Sequence, residues 1–300
     1  MYELIIIGAG PAGITAGVYA ARQKIKTLII TRDIGGQTAL TGDIENYTGY
    51  QFITGPELTK KFEEHLAQFD IELKMPEEVL SADKQGEVIS VRTNRATYQS
   101  KTLIIASGKS PRMLNVPGEK EFKNKGLTYC AVCDGPIFAD KDVAVIGGGN
   151  SAMDAANQMA KISRKVYVVN INPQLAGEAI LREKLESAKN VEVINNATTK
   201  EIIGGAFVEA IKVDIKGQTR AIPVEGVFVE IGLIPATDFI GIVEKNQWGE
   251  IKVDTRCSTN CPGIFAAGDV TDVPEKQIIV AAGEGSKAAL GVAKYLAMDR

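Results

Sequence analysis

The chain has 300 residues, 45% of them hydrophobic and 24% charged, with a net charge of -3 at pH 7. That balance belongs to a globular protein of one large or two ordinary domains and excludes a disordered chain. It offers no basic surface for nucleic acid or an anionic membrane, and no apolar run reaches the roughly 20 residues that span a bilayer.

The chain opens MYELIIIGAG, without a basic leader, and moves straight into glycines. This reads as a buried strand meeting a turn rather than a secretory signal, and a soluble cytoplasmic protein is the expectation. In that compartment a close pair of cysteines is more often catalytic or metal-binding than a structural staple.

Residues 4–7 form an unbroken apolar run suited to a central parallel strand buried on both faces. Gly8, Gly10 and Gly13 follow in GxGxxG spacing, with Pro11 and Ala12 between them, and residues 14–22 continue as a helix. The first glycine makes the turn, the second lets backbone amides approach a pyrophosphate, and the third allows helix and strand to pack closely. A second strand over 27–30 completes a βαβ unit, and Asp33 is the acid at hand for an adenosine ribose.

The segment 129–136 reads YCAVCDGP. By spacing alone, Cys130 and Cys133 suit half a zinc site, a structural disulfide or a working dithiol. Cys257 and Cys261, spaced CxxxC, would complete an all-cysteine zinc site in the first of these readings; otherwise they are small buried residues. Immediately after, DVAVIGGGNSA at 142–152 repeats the nucleotide pattern. A strand over 143–146 leads into Gly147, Gly149 and Ala152 in GxGxxA spacing, with a helix from about Ser151 and a further strand over 165–169. Two complete units, each with its own strand, turn and helix, favour two domains binding two nucleotides over one enlarged domain. Late in the chain, PGIFAAGDV ends a strand over 264–267 in Gly268-Asp269, where an acid can reach a ribityl or phosphate hydroxyl, and a helix follows from about Gln277.

In order, GAGPAG, GGQ at 35–37, IENYTGY at 44–50, TLIIASGKSPRMLNVPGE at 102–119, CAVCDG, GGGNSA, GIFAAGDV and KQIIVAAGEG at 276–285 resemble the low-molecular-weight thioredoxin reductase family. This family belongs to the class II pyridine nucleotide-disulfide oxidoreductases, and the resemblance covers essentially the whole chain. The wording of DIENY, KQII and GEGSK is similar to that of alkyl hydroperoxide reductase flavoproteins. Those flavoproteins carry an N-terminal thioredoxin-like portion. Here residue 1 starts the first strand, so a separate protein is expected to take that role.

The resemblance implies an α/β fold of two Rossmann-like three-layer nucleotide-binding domains, the second inserted in the first. An FAD domain over 1–112 and 246–300 would enclose a pyridine-nucleotide domain over 113–245 that carries the cysteines. Gly36, Gln37, Asn46, Gly108, Gly268, Asp269, Gln277 and Ile278 would join the N-terminal turn around FAD, and Asn150 and Ser151 would join the second turn around a nicotinamide nucleotide. Family position places Cys133 toward the flavin, Cys130 in attack on a partner's disulfide, and Asp134 as the acid that protonates the leaving thiolate. The single histidine, His65, sits in a polar helical stretch far from the cysteines and reads as a surface residue. NADPH-specific relatives place a basic cluster after the second strand of the inserted unit. This chain reads VYVVNINPQLAGE there, with no basic residue, so NADH is favoured over NADPH, with Asn170 at the ribose.

The expected activity is an FAD-dependent NAD(P)H:protein-disulfide oxidoreductase, acting as a homodimer without a metal. Its partner would be a thioredoxin, a glutaredoxin-like protein or a peroxiredoxin-system protein. The rival readings are a ferredoxin- or other-donor-dependent thioredoxin reductase-like enzyme, a flavin NADH oxidase with incidental cysteines, and a non-catalytic redox-sensing or zinc-stabilised flavoprotein.

Overall fold

The computed structural model describes residues 1–298, and Asp43 by its backbone alone. In chain order it begins with β1 (Tyr2–Ala9), α1 (Pro11–Arg22), β2 (Thr27–Ile34), α2 (Gly55–Leu66) and β3 (Glu72–Lys74). Next come β4 (Val79–Gln85), β5 (Val88–Thr93) and β6 (Thr97–Ile105). The middle holds β7 (Leu127–Thr128), α3 (Ala131–Asp134), β8 (Asp142–Ile146), α4 (Asn150–Ala160), β9 (Lys165–Val169), α5 (Ala179–Ser187) and β10 (Val191–Ile194). Four more strands follow, β11 (Ala197–Gly204), β12 (Val208–Ile215), β13 (Gln218–Pro223) and β14 (Gly226–Val229), and the chain ends with β15 (Ile264–Ala266) and α6 (Ile278–Met298).

These elements form two α/β units, one over residues 1–110 and 234–300, the other over 111–233. In the first, the sheet order is β3-β2-β1-β6-β5-β4, with β15 also paired to β6. Ile5, Ile6 and Ile7 of β1 lie beside Leu28, Ile29 and Ile30 on one side and Leu103, Ile104 and Ile105 on the other. Strand alternation splits this apolar block between two cores. Leu4, Ile6, Ile29 and Ile104 pack under the helices with Ile14, Ala16 and Val292, whereas Ile5, Ile7, Leu28 and Leu103 pack with Ile89, Val91, Ile240 and Ile251. A central strand buried on both faces leaves no polar position, which is why its sequence reads as a continuous run.

The second unit repeats the scheme with a parallel sheet β7-β14-β8-β9-β10 and an antiparallel sheet β11-β12-β13. Val143, Val145, Val166 and Val168 face Met153, Ala156 and Met159 of α4; Ala144, Ile146, Val169 and Val229 face Ile211, Val213 and Ile222 of the antiparallel sheet. Helices, parallel sheet and antiparallel sheet make the three layers.

The second crossing between units lies at Leu233–Ile234, whereas the bounds implied by the resemblance put it at 245–246, and the polar run Glu244-Lys245-Asn246-Gln247 lies wholly in the first unit. That run enters a tight turn of the first unit, where the Asn246 side-chain oxygen accepts the Trp248 and Glu250 amides at 2.9 and 3.0 Å. Val243 and Ile251 on either side are buried in its core. Residues 249–254 form no continuous strand, and Ile251 makes single bridges with Lys245 and Thr271. No helix of the described residues is long and apolar enough to cross a membrane.

Glu119 anchors the start of the second unit. It is 1% exposed and accepts the Leu114 and Asn115 amides, both at 2.6 Å, and the Tyr129 hydroxyl at 2.8 Å. Burial, the hydrogen bond to Glu119 and its charge push the Tyr129 phenol well above its ordinary value. The residue beside Cys130 is thereby tied to the segment that enters the unit. Glu119→Ala strands three donors and is expected to cost about 3–5 kcal/mol in chemical denaturation, with Glu119→Gln costing less.

Candidate functional site

Three groups of residues carry the chemistry. The first is the turn between β1 and α1. Gly8 has φ +102°, and a Cβ there would overlap the Ala106 carbonyl; one at Gly13 would overlap the carbonyl of Gly8. The middle glycine differs. A Cβ at Gly10 would meet only the Gly35 oxygen at 3.8 Å, and one at Gly36 only the Cα of Gly10 at 3.8 Å. Space is therefore kept open over the start of α1, which has no side-chain cap, no acid in its first turn and Pro11 among its first residues. Compare α2, where Thr54 and Glu57 form a capping box. An uncapped helix start behind an open glycine fits a pyrophosphate, whose oxygens take the unpaired amides.

Around this turn, Asp269 follows Gly268 (φ +80°) just after β15. Burial raises the Asp269 carboxyl, and Lys276 and Lys109 pull it partly back. The Gly268 amide donates to the buried Glu284 carboxylate at 2.7 Å, which fixes the bend. Asn46 donates to Gln277 at 3.2 Å, and Gln37 to the Lys109 carbonyl at 3.5 Å. Gly108 (φ +63°) accepts the Ala236 amide at 3.0 Å, and Ile278 begins α6. Ala12 is buried. Asp33 lies within β2 with its side chain exposed. Sequence reading missed the cluster beside Asp269. Lys109 and Lys276 flank Glu250 at 3.1 and 3.2 Å. Burial alone would raise the Glu250 carboxyl, but hydrogen bonds from Asn246, Lys109 and Lys276 prevail and hold it at about 2.

The second group is the turn between β8 and α4. Gly147 has φ +141°, and a Cβ there would overlap the Glu230 carbonyl and stand 2.9 Å from the Ala152 Cβ. At Gly149 a Cβ would meet only the Ala176 oxygen at 3.7 Å, so the middle glycine again faces open space. Helix α4 begins with no side-chain cap and no acid in its first turn, and Ser151 is exposed there. These residues fit a second pyrophosphate. The Asn150 side chain accepts the Glu178 amide at 2.9 Å and donates to the Glu178 carboxylate at 3.3 Å, tying the loop after β9 to the turn.

Asn170 has a different place from the one expected. It is 1% exposed, donates to the Asn172 carbonyl at 3.1 Å and to Asn195 at 2.8 Å, and accepts the Asn172 amide at 3.1 Å. A side chain at Gly148 would run into it. Asn170 therefore buttresses the phosphate turn from below, with its hydrogen-bonding groups already engaged, and does not offer them to a ribose.

The third group is the cysteine segment. Cys130 and Cys133 are disulfide-bonded with Cα atoms 5.4 Å apart, while Cys257 is buried and free and Cys261 is half-buried and free. Cys130 caps α3, and its sulfur accepts the Cys133 amide at 3.1 Å. Cys130 is buried and Cys133 exposed. Thr128, another residue that sequence reading missed, links the parts. Its hydroxyl donates to the Asp134 carboxylate and accepts the Cys130 amide at 3.1 Å. Asp134 thus lies one hydrogen-bonded residue away from Cys130. Were the pair to exchange with a protein disulfide beside bound flavin, as the resemblance implies, Asp134→Asn would slow that exchange about 10²–10³-fold and leave flavin reduction near normal, by stopped-flow absorbance. Unchanged exchange removes Asp134 from the proton path. His65 is exposed on α2, its ring 6.0 Å from that of Phe69.

The model of the family described as pyridine nucleotide-disulphide oxidoreductase matches residues 2–285. The chain is 43% identical over 298 residues to a protein named NADH dehydrogenase from Bacillus subtilis, covering 98% of this chain and 58% of that protein. It is also 43% identical over 302 residues to the F subunit of alkyl hydroperoxide reductase from Xanthomonas campestris pv. phaseoli, covering 98% and 57%. The chain thus spans a little over half the length of these curated relatives. Among solved structures, thioredoxin reductase of Lactococcus lactis superposes with a TM-score of 0.91 at 34% identity, covering 99% of this chain and all of that one.

Proposed function

This chain belongs to the pyridine nucleotide-disulphide oxidoreductase family, and we propose that within it the protein is an FAD-dependent disulfide reductase of the thioredoxin reductase type. Electrons would pass from NADH through FAD to the Cys130/Cys133 pair, and then to a thioredoxin, a glutaredoxin-like protein or a peroxiredoxin-system protein. The observation that carries this reading is a disulfide-bonded CxxC in the same unit as an uncapped, glycine-opened nucleotide turn.

FAD, when bound, would supply the two-electron redox chemistry that links a nicotinamide to a disulfide. The protein does the rest. Gly10 and Gly36 would leave room for the FAD pyrophosphate, α1 would present its amides, and Asp269 would accept from ribityl hydroxyls. Gly149 and the start of α4 do the same for the nicotinamide nucleotide. Reduction opens the Cys130–Cys133 bond to two thiols. Cys130 then attacks the partner's disulfide, Asp134 protonates the departing thiolate, and Cys133 displaces the reduced partner by re-forming the bond. In balance, NADH, a proton and the partner's disulfide become NAD+ and the partner's dithiol.

NADH is favoured because residues 170–178 contain no lysine or arginine to pair a 2′-phosphate, and Glu178 is pinned at the phosphate turn. The B. subtilis relative named NADH dehydrogenase points the same way. The test is anaerobic bleaching of bound flavin by NADH, NADPH and reduced ferredoxin, measured side by side. NADH is expected to be fastest by at least about tenfold over NADPH, a difference of about 1.4 kcal/mol. Bleaching by ferredoxin alone overturns the nucleotide assignment.

A further inference from the structure

Glu230 is a carboxyl that the proposed reaction leaves without a role. It follows β14, whose neighbour in the parallel sheet is β8. From β8 the chain winds outward through β9 to β10, whereas β14 and β7 lie on the other side. The boundary between β8 and β14 is thus the switch point of the sheet, where ligands sit beyond the carboxyl ends of the strands. With the pyrophosphate at Gly147–Gly149 and the adenosine half toward β9, the other half of a dinucleotide lies over β14.

Glu230 stands there and is fixed. Its amide donates to the Ile146 carbonyl at 2.8 Å, and its own carbonyl occupies the place of a Gly147 side chain. The residue is half-buried. Among the described residues its carboxylate has no hydrogen bond or ion pair. A half-buried acceptor beside a nucleotide turn, with nothing donating to it, is a place for donors that arrive with the ligand.

Resting on the function proposed above, we infer that Glu230 reads the nicotinamide half of the dinucleotide, its carboxylate accepting hydrogen bonds from the hydroxyls of the nicotinamide-side ribose. A diol offers two donors to the two oxygens, the pairing that acids make with the adenosine ribose in related units.

The charge state supplies a signature. Burial, and then the charge of Asp154 on the facing helix α4, raise Glu230 to about 7. Asp154 is itself raised by burial and by Glu178, and lowered in part by Lys184. Hydrogen bonds from the diol favour the ionised form. Below pH 7 the free protein must therefore lose a proton to bind, and affinity rises with pH until Glu230 is ionised in the free protein.

The test is calorimetric titration of NAD+ and ADP into the purified flavoprotein at pH 6 and pH 8, for wild type, Glu230→Gln and Glu230→Ala. Wild type is expected to bind NAD+ about tenfold more tightly at pH 8 than at pH 6, whereas the pH response of ADP, whose terminal phosphate itself titrates near pH 6, is the same in wild type and both variants. Glu230→Gln should lose the pH step, and Glu230→Ala should bind NAD+ about tenfold more weakly at pH 8; both should keep wild-type affinity for ADP, which also reports an intact turn. NAD+ affinity that ignores both substitutions, a pH step that survives in Glu230→Gln, or a step of opposite sign overturns the inference while ADP binding leaves the nucleotide site standing. A wild type that binds neither ADP nor NAD+ overturns both.

Discussion

Replacement of Cys130 by serine is expected to lower turnover of a protein disulfide about ten-thousandfold and to leave reduction of bound flavin by NADH within about twofold of wild type. The two half-reactions separate because only the second needs a sulfur nucleophile. Serine at 130 still caps α3, where the Cys130 sulfur otherwise accepts the Cys133 amide, so the local fold has no reason to change. A hydroxyl does not ionise near neutral pH and cannot form the mixed disulfide, and a factor of ten thousand corresponds to about 5 kcal/mol of barrier. Cys133→Ser should lose protein turnover to the same extent, because the mixed disulfide formed at Cys130 then has no resolving thiol. The check is steady-state reduction of a thioredoxin-type protein beside stopped-flow flavin absorbance. Full physiological turnover by Cys130→Ser would instead support an oxygen-reducing NADH oxidase in which the cysteines are bystanders.

The second large effect belongs to Gly147. An alanine there takes a backbone conformation that L residues rarely adopt and places its Cβ on the Glu230 carbonyl. Strain of about 1–3 kcal/mol is relieved only by shifting the turn proposed to face the pyrophosphate. Gly147→Ala is expected to slow flavin reduction by NADH at least about a hundredfold, or about 3 kcal/mol. Flavin content should stay at wild type, because Gly8 and Asp269 belong to one unit and Gly147 to the other. Dithionite should still bleach the flavin at the wild-type rate. Loss of flavin on purification would show that the two glycine turns do not serve separate ligands.

Both glycine turns were legible because each lies between a strand and a helix whose patterns stand out: Leu4–Ile7 and Val143–Ile146 are apolar without interruption since both faces are buried. Element ends were less so. Helix α1 starts at Pro11, three residues before the expected Ile14, because proline suits the first turn of a helix. Strand β2 runs on to Ile34, through the exposed Arg32 and Asp33, as its outer end needs no apolar side chain. The second crossing was misplaced as well: the polar residues 244–247 belong to a turn of the first unit and not to a linker between units.

Partners far apart in sequence were not legible at all. Lys109 and Glu250 are separated by 141 positions, and nothing in either segment signals the pair. Asn170 shows the reverse failure. Its position at the end of β9 marked it as a ribose ligand, but an uncharged amide with two donors and an acceptor can serve the loop instead, and burial under Gly148 decides that it does. Glu230 carries no motif, and its interest comes from a sheet order that only the fold reveals.

The most direct test of electron delivery to Cys130 and Cys133 is a thiol count on the anaerobic flavoprotein before and after NADH, with the alkylated residues located by mass spectrometry. Two new thiols, mapped to Cys130 and Cys133, with Cys257 and Cys261 unchanged, are expected once NADH exceeds the flavin. Bleached flavin with no new thiol at either residue would contradict it.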